Sequence, residues 1–370
     1  MKYSPPLLNG QWYYPEDNDL IELVKAIYTN KYYTNYGPLA SEFEASLSVY
    51  FSNQEVVVST NAMLGLMMTL VGMGCNGSVI VPAVTSAGVT EAVIWAGLKP
   101  IFADVDITSG QITVDTVNAV VKNDTSVIIA ISLWGNACEI DELATFSDQS
   151  GLKLIHYAVD AFGISVNGKR VGNDDIVTVF SFDSSKILSS SAGGCVVTND
   201  NTLARRIRNI RSSYGSGPLE KVPVTANGRF SEFQAAIGLW SLSSLESHRE
   251  NNRNITNVYK NTLVNVCGLN IIDSDNNVDS NHQDFVLIIN ETESGVSRDY
   301  IQKILEERGV FTRPEYNPFL DKSEMIRLYH DGAILPGMKE LATSVLQLPV
   351  GARVTPEIAA NIGGIIKALV

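Results

Sequence analysis

The sequence predicts an α/β fold in which a mostly parallel sheet lies between helices and is followed by a smaller α+β part. Three observations lead to this prediction. Through the first two-thirds of the chain, short apolar runs alternate with helix-like stretches, which is typical of folds with a parallel sheet. The runs are apolar at almost every position, which indicates strands covered on both faces. After about residue 230 this alternation is replaced by longer helical stretches.

The elements of the first part follow from these runs in chain order. The predicted strands are Glu55–Ser59, Ser78–Val81, Pro100–Val105, Ser126–Leu133, Lys153–Tyr157, Ile176–Phe182 and Gly194–Thr198. The helices predicted between them are Asn61–Gly72, Ala87–Ala96 and Ile140–Gln149. Strands that alternate with helices in this way place helices on both faces of one sheet.

The second part is predicted to be a smaller α+β domain. It contains a long helix over Glu232–Thr262, broken near Ser247, and then the elements Phe285–Ile289 (strand), Arg298–Arg308 (helix), Gly309–Arg313 (short strand) and Thr355–Leu369 (helix). The turn-rich piece Asp273–Gln283 predicts an exposed loop at a domain junction. We therefore expect a large domain over residues 1–240, with an N-terminal arm, and a small C-terminal domain over 241–370.

Composition excludes several classes of protein. Hydrophobic residues make up 45% of the 370 residues, which is enough for a large core and argues against a mainly disordered chain. The net charge is -13, with 27 basic and 40 acidic residues, so a broad nucleic-acid-binding face is not expected. The four cysteines are far apart and the histidines lack ligand spacing, so we expect neither disulfides nor a metal site. No run is long enough to span a membrane and no secretory signal is evident, so we expect a cytoplasmic protein.

Three segments could carry chemistry, and each also has an ordinary structural explanation. Asn61 and Ala62 stand between a strand and a helix, where free amides suit a phosphate; the alternative, which the segment alone favours, is simple helix capping without a ligand. Lys186 follows the strand that ends near Ser181, and a lysine at such a strand end can form a Schiff base; the alternative is a solvated loop lysine. Arg229 precedes a helix and could bind an anion, or it could be only a surface charge.

Taken together, the order and spacing of these segments resemble the DegT/DnrJ/EryC1/StrS family of fold-type I, pyridoxal-phosphate-dependent aminotransferases of nucleotide sugars. The likeness covers nearly the whole chain. Its motifs are Thr34–Leu39, Phe43-Glu44, Val81-Pro82, Asp104–Asp106, Leu133–Gly135, Ser181-Phe182 with Lys186, Gly193-Gly194 with Val197-Thr198, Arg229–Gly238 and Leu348-Pro349.

The resemblance implies a role for each matching position. Lys186 falls on the Schiff-base lysine and Ser181 on the serine that binds the cofactor phosphate. Asn61, Ala62 and Met63 fall on the helix start whose amides hold that phosphate. The segment of Asn227 and Arg229 is one that reaches into the partner's site in this family, which implies a homodimer with two shared active sites. Arg313 and Tyr316 lie in the stretch that faces the sugar, where Glu315 replaces the usual histidine.

The cofactor pocket departs from the family pattern at the ring. Tyr157 replaces the aspartate that keeps the pyridine nitrogen protonated, and a phenol with a reference pKa near ~10 is a poor proton source. Asp160 replaces the Gln or His near the ring's phenolic oxygen. A three-residue shift in register could instead bring Asp160 to the nitrogen. Ser86 stands where an aromatic residue usually stacks on the ring. Other altered positions are Met63, Ser132 and Ala192.

Three functions therefore remain open at this point. The first is a pyridoxal-phosphate-dependent aminotransferase that acts on a nucleotide-linked keto-deoxysugar, with glutamate as amino donor and Lys186 as the acid and base. The second is a family member without transaminase activity that binds a sugar nucleotide or serves as a partner subunit. The third is altered chemistry on a keto sugar, such as dehydration or epimerisation. The retained lysine favours the first, and the altered ring contacts favour the others.

Overall fold

A computed structural model describes residues 2–10, 13–314, 329, 332 and 335–370. The strands are β1 (Glu55–Ser59), β2 (Ser78–Pro82), β3 (Lys99–Ala103), β4 (Thr125–Ile131), β5 (Lys153–Tyr157), β6 (Ser165–Val166), β7 (Lys169–Arg170), β8 (Val177–Ser181), β9 (Gly194–Thr198), β10 (Leu269–Ile272), β11 (Val278–Asp279), β12 (Phe285–Ile289) and β13 (Val345–Leu348).

The helices surround these strands. They are α1 (Asp17–Asn30), α2 (Pro38–Tyr50), α3 (Ala62–Gly72), α4 (Ala87–Trp95), α5 (Val114–Asn118), α6 (Ile140–Ser150), α7 (Asn201–Ser212), α8 (Glu232–Ser243), α9 (Leu245–Leu263), α10 (Glu291–Ser294), α11 (Arg298–Glu307), α12 (Pro336–Ser344) and α13 (Pro356–Lys367). None of the helices in the described part of the chain is long and apolar enough to cross a membrane.

The main sheet is mostly parallel, as predicted. Within the described residues it has seven strands in the order β1-β9-β8-β5-β4-β2-β3. Only β9 runs antiparallel to its neighbours β8 and β1. The sheet is covered on both faces: Val57 of β1 belongs to one hydrophobic core, while Val56 and Val58 belong to the core on the other face. All seven strands predicted for the first part form.

A second, antiparallel sheet has the order β10-β12-β13. It packs with α9, α11 and α13 around a core that includes Tyr259, Phe285 and Ile362. Leu7, near the start of the chain, also belongs to this core and forms a bridge with Val310. The N-terminal segment therefore closes onto the C-terminal part of the chain.

Three predicted elements differ from the structure. The long helix breaks at Ser244 rather than near Ser247. Gly309–Arg313 forms no strand, because only Val310 and Arg313 make isolated bridges there. The piece Asp273–Gln283 is not simply an exposed loop: it contains β11, and Asn281 near its end is fully buried.

Candidate active site

A cavity of about 540 Å³ lies where the carboxyl ends of several strands of the main sheet meet. Nine of the twelve predicted site residues line it: Asn61, Ala62, Met63, Ser86, Tyr157, Asp160, Ser181, Lys186 and Arg313. Parallel strands bring their carboxyl ends to one edge of the sheet, which explains why distant segments meet here.

Three sequence-predicted residues are not found in this lining. Asn227 is exposed and Arg229 is half-buried, and neither lines the cavity. The backbone between them passes over the start of α3, because the amide of Thr60 donates to the carbonyl of Gly228 at 3.2 Å. Tyr316 lies outside the described residues.

The start of α3 forms one wall and is suited to an anion. Asn61 is the N-cap, and its Oδ1 accepts a hydrogen bond from the amide of Leu64 at 2.8 Å. The amides of Ala62 and Met63 belong to the first turn, where the helix itself provides no acceptor. The positive end of the helix dipole adds to the attraction for a phosphate.

Gly194 brings Ser181 next to this helix start. Because β9 is antiparallel to both neighbours, its first residue pairs with the last residues of β1 and β8, which are Ser59 and Ser181. A Cβ on Gly194 would lie 2.7 Å from the amide nitrogen of Ala62 and 2.7 Å from the carbonyl oxygen of Phe180. Only glycine therefore allows the strand and the helix to approach this closely. The hydroxyl of Ser181 and the first-turn amides of α3 thus line one region of the cavity.

Lys186 is not a solvated loop lysine. Its side chain is only 16% exposed, and its Nζ lies 2.5 Å from Oδ1 of Asp160. The loop that carries it is ordered by Asp183, whose carbonyl accepts from the amide of Lys186 at 3.0 Å and whose carboxylate accepts from Ser185. The structure therefore directs a primary amine into the cavity.

Asp160 is a buried carboxylate with several donors. Besides Lys186, the backbone amide of Trp134 donates to its Oδ2 at 3.3 Å, and Nε2 of Gln283 donates to its Oδ1 at 3.1 Å. A carboxylate removed from water is stable only when such donors replace the lost solvation. These contacts fix Asp160 beside the lysine.

Tyr157, and not Asp160, occupies the end of β5. Its backbone is in register with Ile131 of β4 and Val179 of β8, so the shift that could have moved Asp160 inward does not occur. Burial, with a smaller contribution from the charge of Asp160, raises the pKa of the Tyr157 phenol. The hydroxyl therefore stays protonated at neutral pH and can donate a hydrogen bond.

Behind Tyr157, β5 is supported by a buried polar pair. Ser132 Oγ and His156 Nε2 are 2.7 Å apart, and the amide of Cys138 donates to Ser132 Oγ at 3.0 Å. Burial lowers the pKa of His156 to about 4. This imidazole is therefore neutral at physiological pH.

Several cavity residues were not found from the sequence, namely Asn9, Gly10, Gln283, Asp284 and Gln347. Gln283 and Asp284 precede β12, and Gln347 lies on β13 of the second sheet. The place of these three residues in the cavity depends on how the second sheet packs against the first, which no local sequence pattern encodes. The one available signal was a pair of amide residues, Asn281 and Gln283, immediately before an apolar strand.

Comparisons with known proteins find similar chains. The model of the family described as DegT/DnrJ/EryC1/StrS aminotransferase matches residues 15–367. The dTDP-4-amino-4,6-dideoxy-D-glucose transaminase of Escherichia coli is 27% identical over 354 residues, covering 94% of this chain and 94% of that protein. The GDP-perosamine synthase of Vibrio cholerae is 28% identical over 288 residues, covering 76% and 77%.

A solved structure is also similar over nearly the whole chain. The crystal structure of DesI in the presence of its TDP-sugar product has a TM-score of 0.90 and 31% identity to this chain. The match covers 99% of this chain and 93% of that one.

Proposed function

Because the chain belongs to the DegT/DnrJ/EryC1/StrS aminotransferase family, we propose that it transfers an amino group from glutamate to a nucleotide-linked keto-deoxysugar, with pyridoxal 5'-phosphate as cofactor. One observation carries this proposal: the amine of Lys186 and the first turn of α3 line the same cavity. A phosphate and an aldehyde are the two groups of the cofactor that such a cavity would bind.

The residues present fit this cofactor. Asn61, Ala62 and Met63 at the start of α3, together with Ser181, would hold its phosphate. Gly194 supports this fit, since a Cβ there would close the gap between strand and helix. When bound, the cofactor supplies an electron sink for the carbon–hydrogen bond that is broken during amino transfer.

Lys186 and Asp160 would handle the proton. Lys186 would bind the cofactor covalently until the incoming amino group displaces it, and the released amine would carry the proton between the two carbons involved in the transfer. Asp160 Oδ1 is within hydrogen-bond distance of that amine and would orient it and stabilise its charged form.

Tyr157 would donate a hydrogen bond to the pyridine nitrogen of the cofactor, without protonating it. Its raised pKa supports this role, because the buried phenol keeps its proton. A hydrogen bond positions the ring but withdraws fewer electrons than a full proton would. We therefore expect slower amino transfer than an aspartate at this position would permit.

Ser86 would leave one face of the cofactor's pyridine ring without a stacking partner. This serine is exposed at the N-cap of α4 and lines the cavity. A serine offers no aromatic face, and ring stacking is worth on the order of 1 kcal/mol. We therefore expect weaker cofactor binding than an aromatic residue at this position would give.

A nucleotide-linked sugar is the proposed substrate because the relatives are named for, or were solved with, dTDP-, GDP- or TDP-linked sugars. Arg313 lines the cavity next to the second sheet and would bind the substrate there. The proposal of Tyr316 as a second substrate-binding residue rests on the sequence resemblance alone. We further propose a homodimer in which Asn227 and Arg229 reach the partner's cavity: Asn227 would contact the cofactor there and Arg229 the substrate. The exposure of Asn227, and the absence of both residues from their own cavity lining, support this arrangement.

A transfer assay tests the function. Full-length protein with added pyridoxal phosphate and ¹⁵N-labelled glutamate is incubated with 4-keto and 3-keto deoxysugars linked to dTDP, GDP or UDP, and the products are analysed by mass spectrometry. We expect ¹⁵N in one aminated sugar, with matching release of 2-oxoglutarate. Dehydrated or epimerised sugar without ¹⁵N would instead favour altered chemistry, and no product from any sugar would favour a non-catalytic role.

A further inference from the structure

Gln283 contacts Asp160 of the Lys186–Asp160 pair and the backbone of the residue that follows Lys186. Its Nε2 donates to Oδ1 of Asp160 at 3.1 Å, and its Oε1 accepts from the backbone amide of Ile187 at 2.8 Å. Ile187 is the residue directly after Lys186. One side chain therefore binds the carboxylate that pairs with the lysine and also the backbone that carries the lysine.

The loop that carries Gln283 is itself fixed to the segment after β5. Asn281 is fully buried, and its Nδ2 donates to the carbonyls of Asp160 at 2.8 Å and Phe162 at 2.9 Å. Its Oδ1 accepts from the amide of Gln283 at 2.9 Å. The position of Gln283 is thus set by the same short segment that contains Asp160.

Gln283 also connects Asp160 to the second sheet. Its Nε2 lies 3.1 Å from Oδ2 of Asp284, and Gln347 of β13 donates to the other oxygen of Asp284. Gln283, Asp284 and Gln347 all line the cavity. A continuous set of hydrogen bonds therefore runs from β13 along the cavity wall to Asp160.

We propose that Gln283 is a positioning residue for Lys186 and Asp160, which it holds in contact from the loop leading into β12. The role rests on the function proposed above, in which Lys186 binds the cofactor. Without the side-chain amide of Gln283, Asp160 loses one of its hydrogen-bond donors. The backbone amide of Ile187 loses its acceptor in a buried site. Both changes loosen the ion pair, because each removes a hydrogen bond from a largely buried group beside it.

The reactivity of Lys186 in full-length protein without added cofactor tests this role. A brief pulse of acetic anhydride labels lysines that are momentarily free of partners, and mass spectrometry compares Lys186 with the exposed Lys303 in the same sample. We expect Gln283→Leu to raise the relative labelling of Lys186 by roughly 10-fold, as for loss of one hydrogen bond to a charged group. Gln283→Glu should lower it, since a second carboxylate adds to the charge that holds the ammonium.

Two further measurements separate positioning from general stability. Hydrogen exchange at the Ile187 amide should accelerate in Gln283→Leu and stay slow in Gln283→Glu, whose carboxylate still accepts that bond. In an Asp160→Asn background, Gln283→Leu should change Lys186 labelling by less than about twofold, because coupled residues are not additive. A matched control is Gln54→Leu, which removes a glutamine bond to the Asp174 carbonyl outside the cavity.

Unchanged Lys186 labelling in Gln283→Leu, or additive effects of Gln283→Leu and Asp160→Asn, would overturn the proposal. Equal labelling in Gln283→Leu and Gln54→Leu would likewise assign Gln283 a purely structural role. These readouts need neither turnover nor sugar. A failed transfer assay with the expected labelling would therefore contradict the proposed function and leave the positioning role intact.

Discussion

The Nζ of Lys186 lies 2.5 Å from Oδ1 of Asp160, so the Asp160 carboxylate pairs with the lysine. The end of β5 is occupied by Tyr157, a buried phenol with a raised pKa. The Asp160 carboxylate and the Tyr157 phenol therefore occupy different places in the cavity lining. This arrangement leads to the predictions that follow.

Replacing Tyr157 by aspartate should speed amino transfer. A carboxylate at the end of β5 would keep the pyridine nitrogen protonated and strengthen the electron sink. We expect the single-turnover rate with glutamate to rise at least about 10-fold. Tyr157→Phe is the matched control, which removes only the hydroxyl and should weaken cofactor binding by about 1 kcal/mol. A Tyr157→Asp rate at or below that of Tyr157→Phe would show that the phenol does not face the nitrogen.

Gly194→Ala should damage both stability and cofactor binding. The new Cβ would meet the Ala62 amide and the Phe180 carbonyl, each at 2.7 Å, and forcing extra atoms into a packed site costs about 1–3 kcal/mol. Urea unfolding and cofactor titration measure the two effects. Gly364→Ala is the control, because nothing lies within 4 Å of its added Cβ on α13; there, stability should rise by about 0.5–1 kcal/mol. Equal effects of the two substitutions would contradict the close approach at Gly194.

Mixing two inactive variants tests the shared active sites of the proposed homodimer. Lys186→Ala and Arg229→Ala should each be nearly inactive alone. If Arg229 acts in the partner's cavity, a mixed dimer contains one intact site, and random exchange should restore about one quarter of wild-type activity. No recovery after subunit exchange, confirmed with differently tagged chains, would place Arg229 and Lys186 in the same site or exclude the dimer.

The buried His156 should make stability depend on pH in the acidic range. Burial lowers its pKa to about 4 in the folded chain, whereas an unfolded histidine titrates near ~6.5. Folding thus favours the neutral form of His156. Its contribution to the free energy of unfolding, a few kcal/mol, is therefore fully present above about pH 6.5 and is lost as the pH falls towards 4. Unfolding by urea at several pH values, in wild type and His156→Gln, measures this. Identical pH dependence in both proteins would be inconsistent with a neutral His156.

Much of the fold could be predicted because its signal is local. The strands of the main sheet are buried on both faces, so their apolar runs are unbroken and easily found, and the family membership follows from motifs at their ends. In contrast, β13 is only four residues long and includes Gln347, so it does not stand out from a loop. The proposed division into domains at residue 240 stays a prediction. Leu7, near the start of the chain, packs into the C-terminal core.

The cavity was predictable where its residues follow strands of the main sheet. Ser181, Lys186, Tyr157 and the start of α3 come together because parallel strands share one carboxyl edge. Gln283 was not predictable, because its contacts with Asp160 and Ile187 depend on long-range docking of the loop before β12. The pairing of Asp160 with Lys186 was also not predictable, because the sequence does not show whether this carboxylate contacts the lysine or lies at the end of β5.

The most direct test of this account is covalent capture of the cofactor at Lys186. Purified protein with added pyridoxal phosphate is treated with borohydride, digested and analysed by mass spectrometry, alongside Lys186→Ala and the exposed-lysine control Lys303→Ala. Before borohydride is added, we predict a visible absorption band in wild type and Lys303→Ala. After reduction, the same two proteins should carry a pyridoxyl adduct on Lys186. Both signals should be absent in Lys186→Ala. No adduct on Lys186 at saturating cofactor, or an equal adduct in the Lys186→Ala protein, would contradict the central claim.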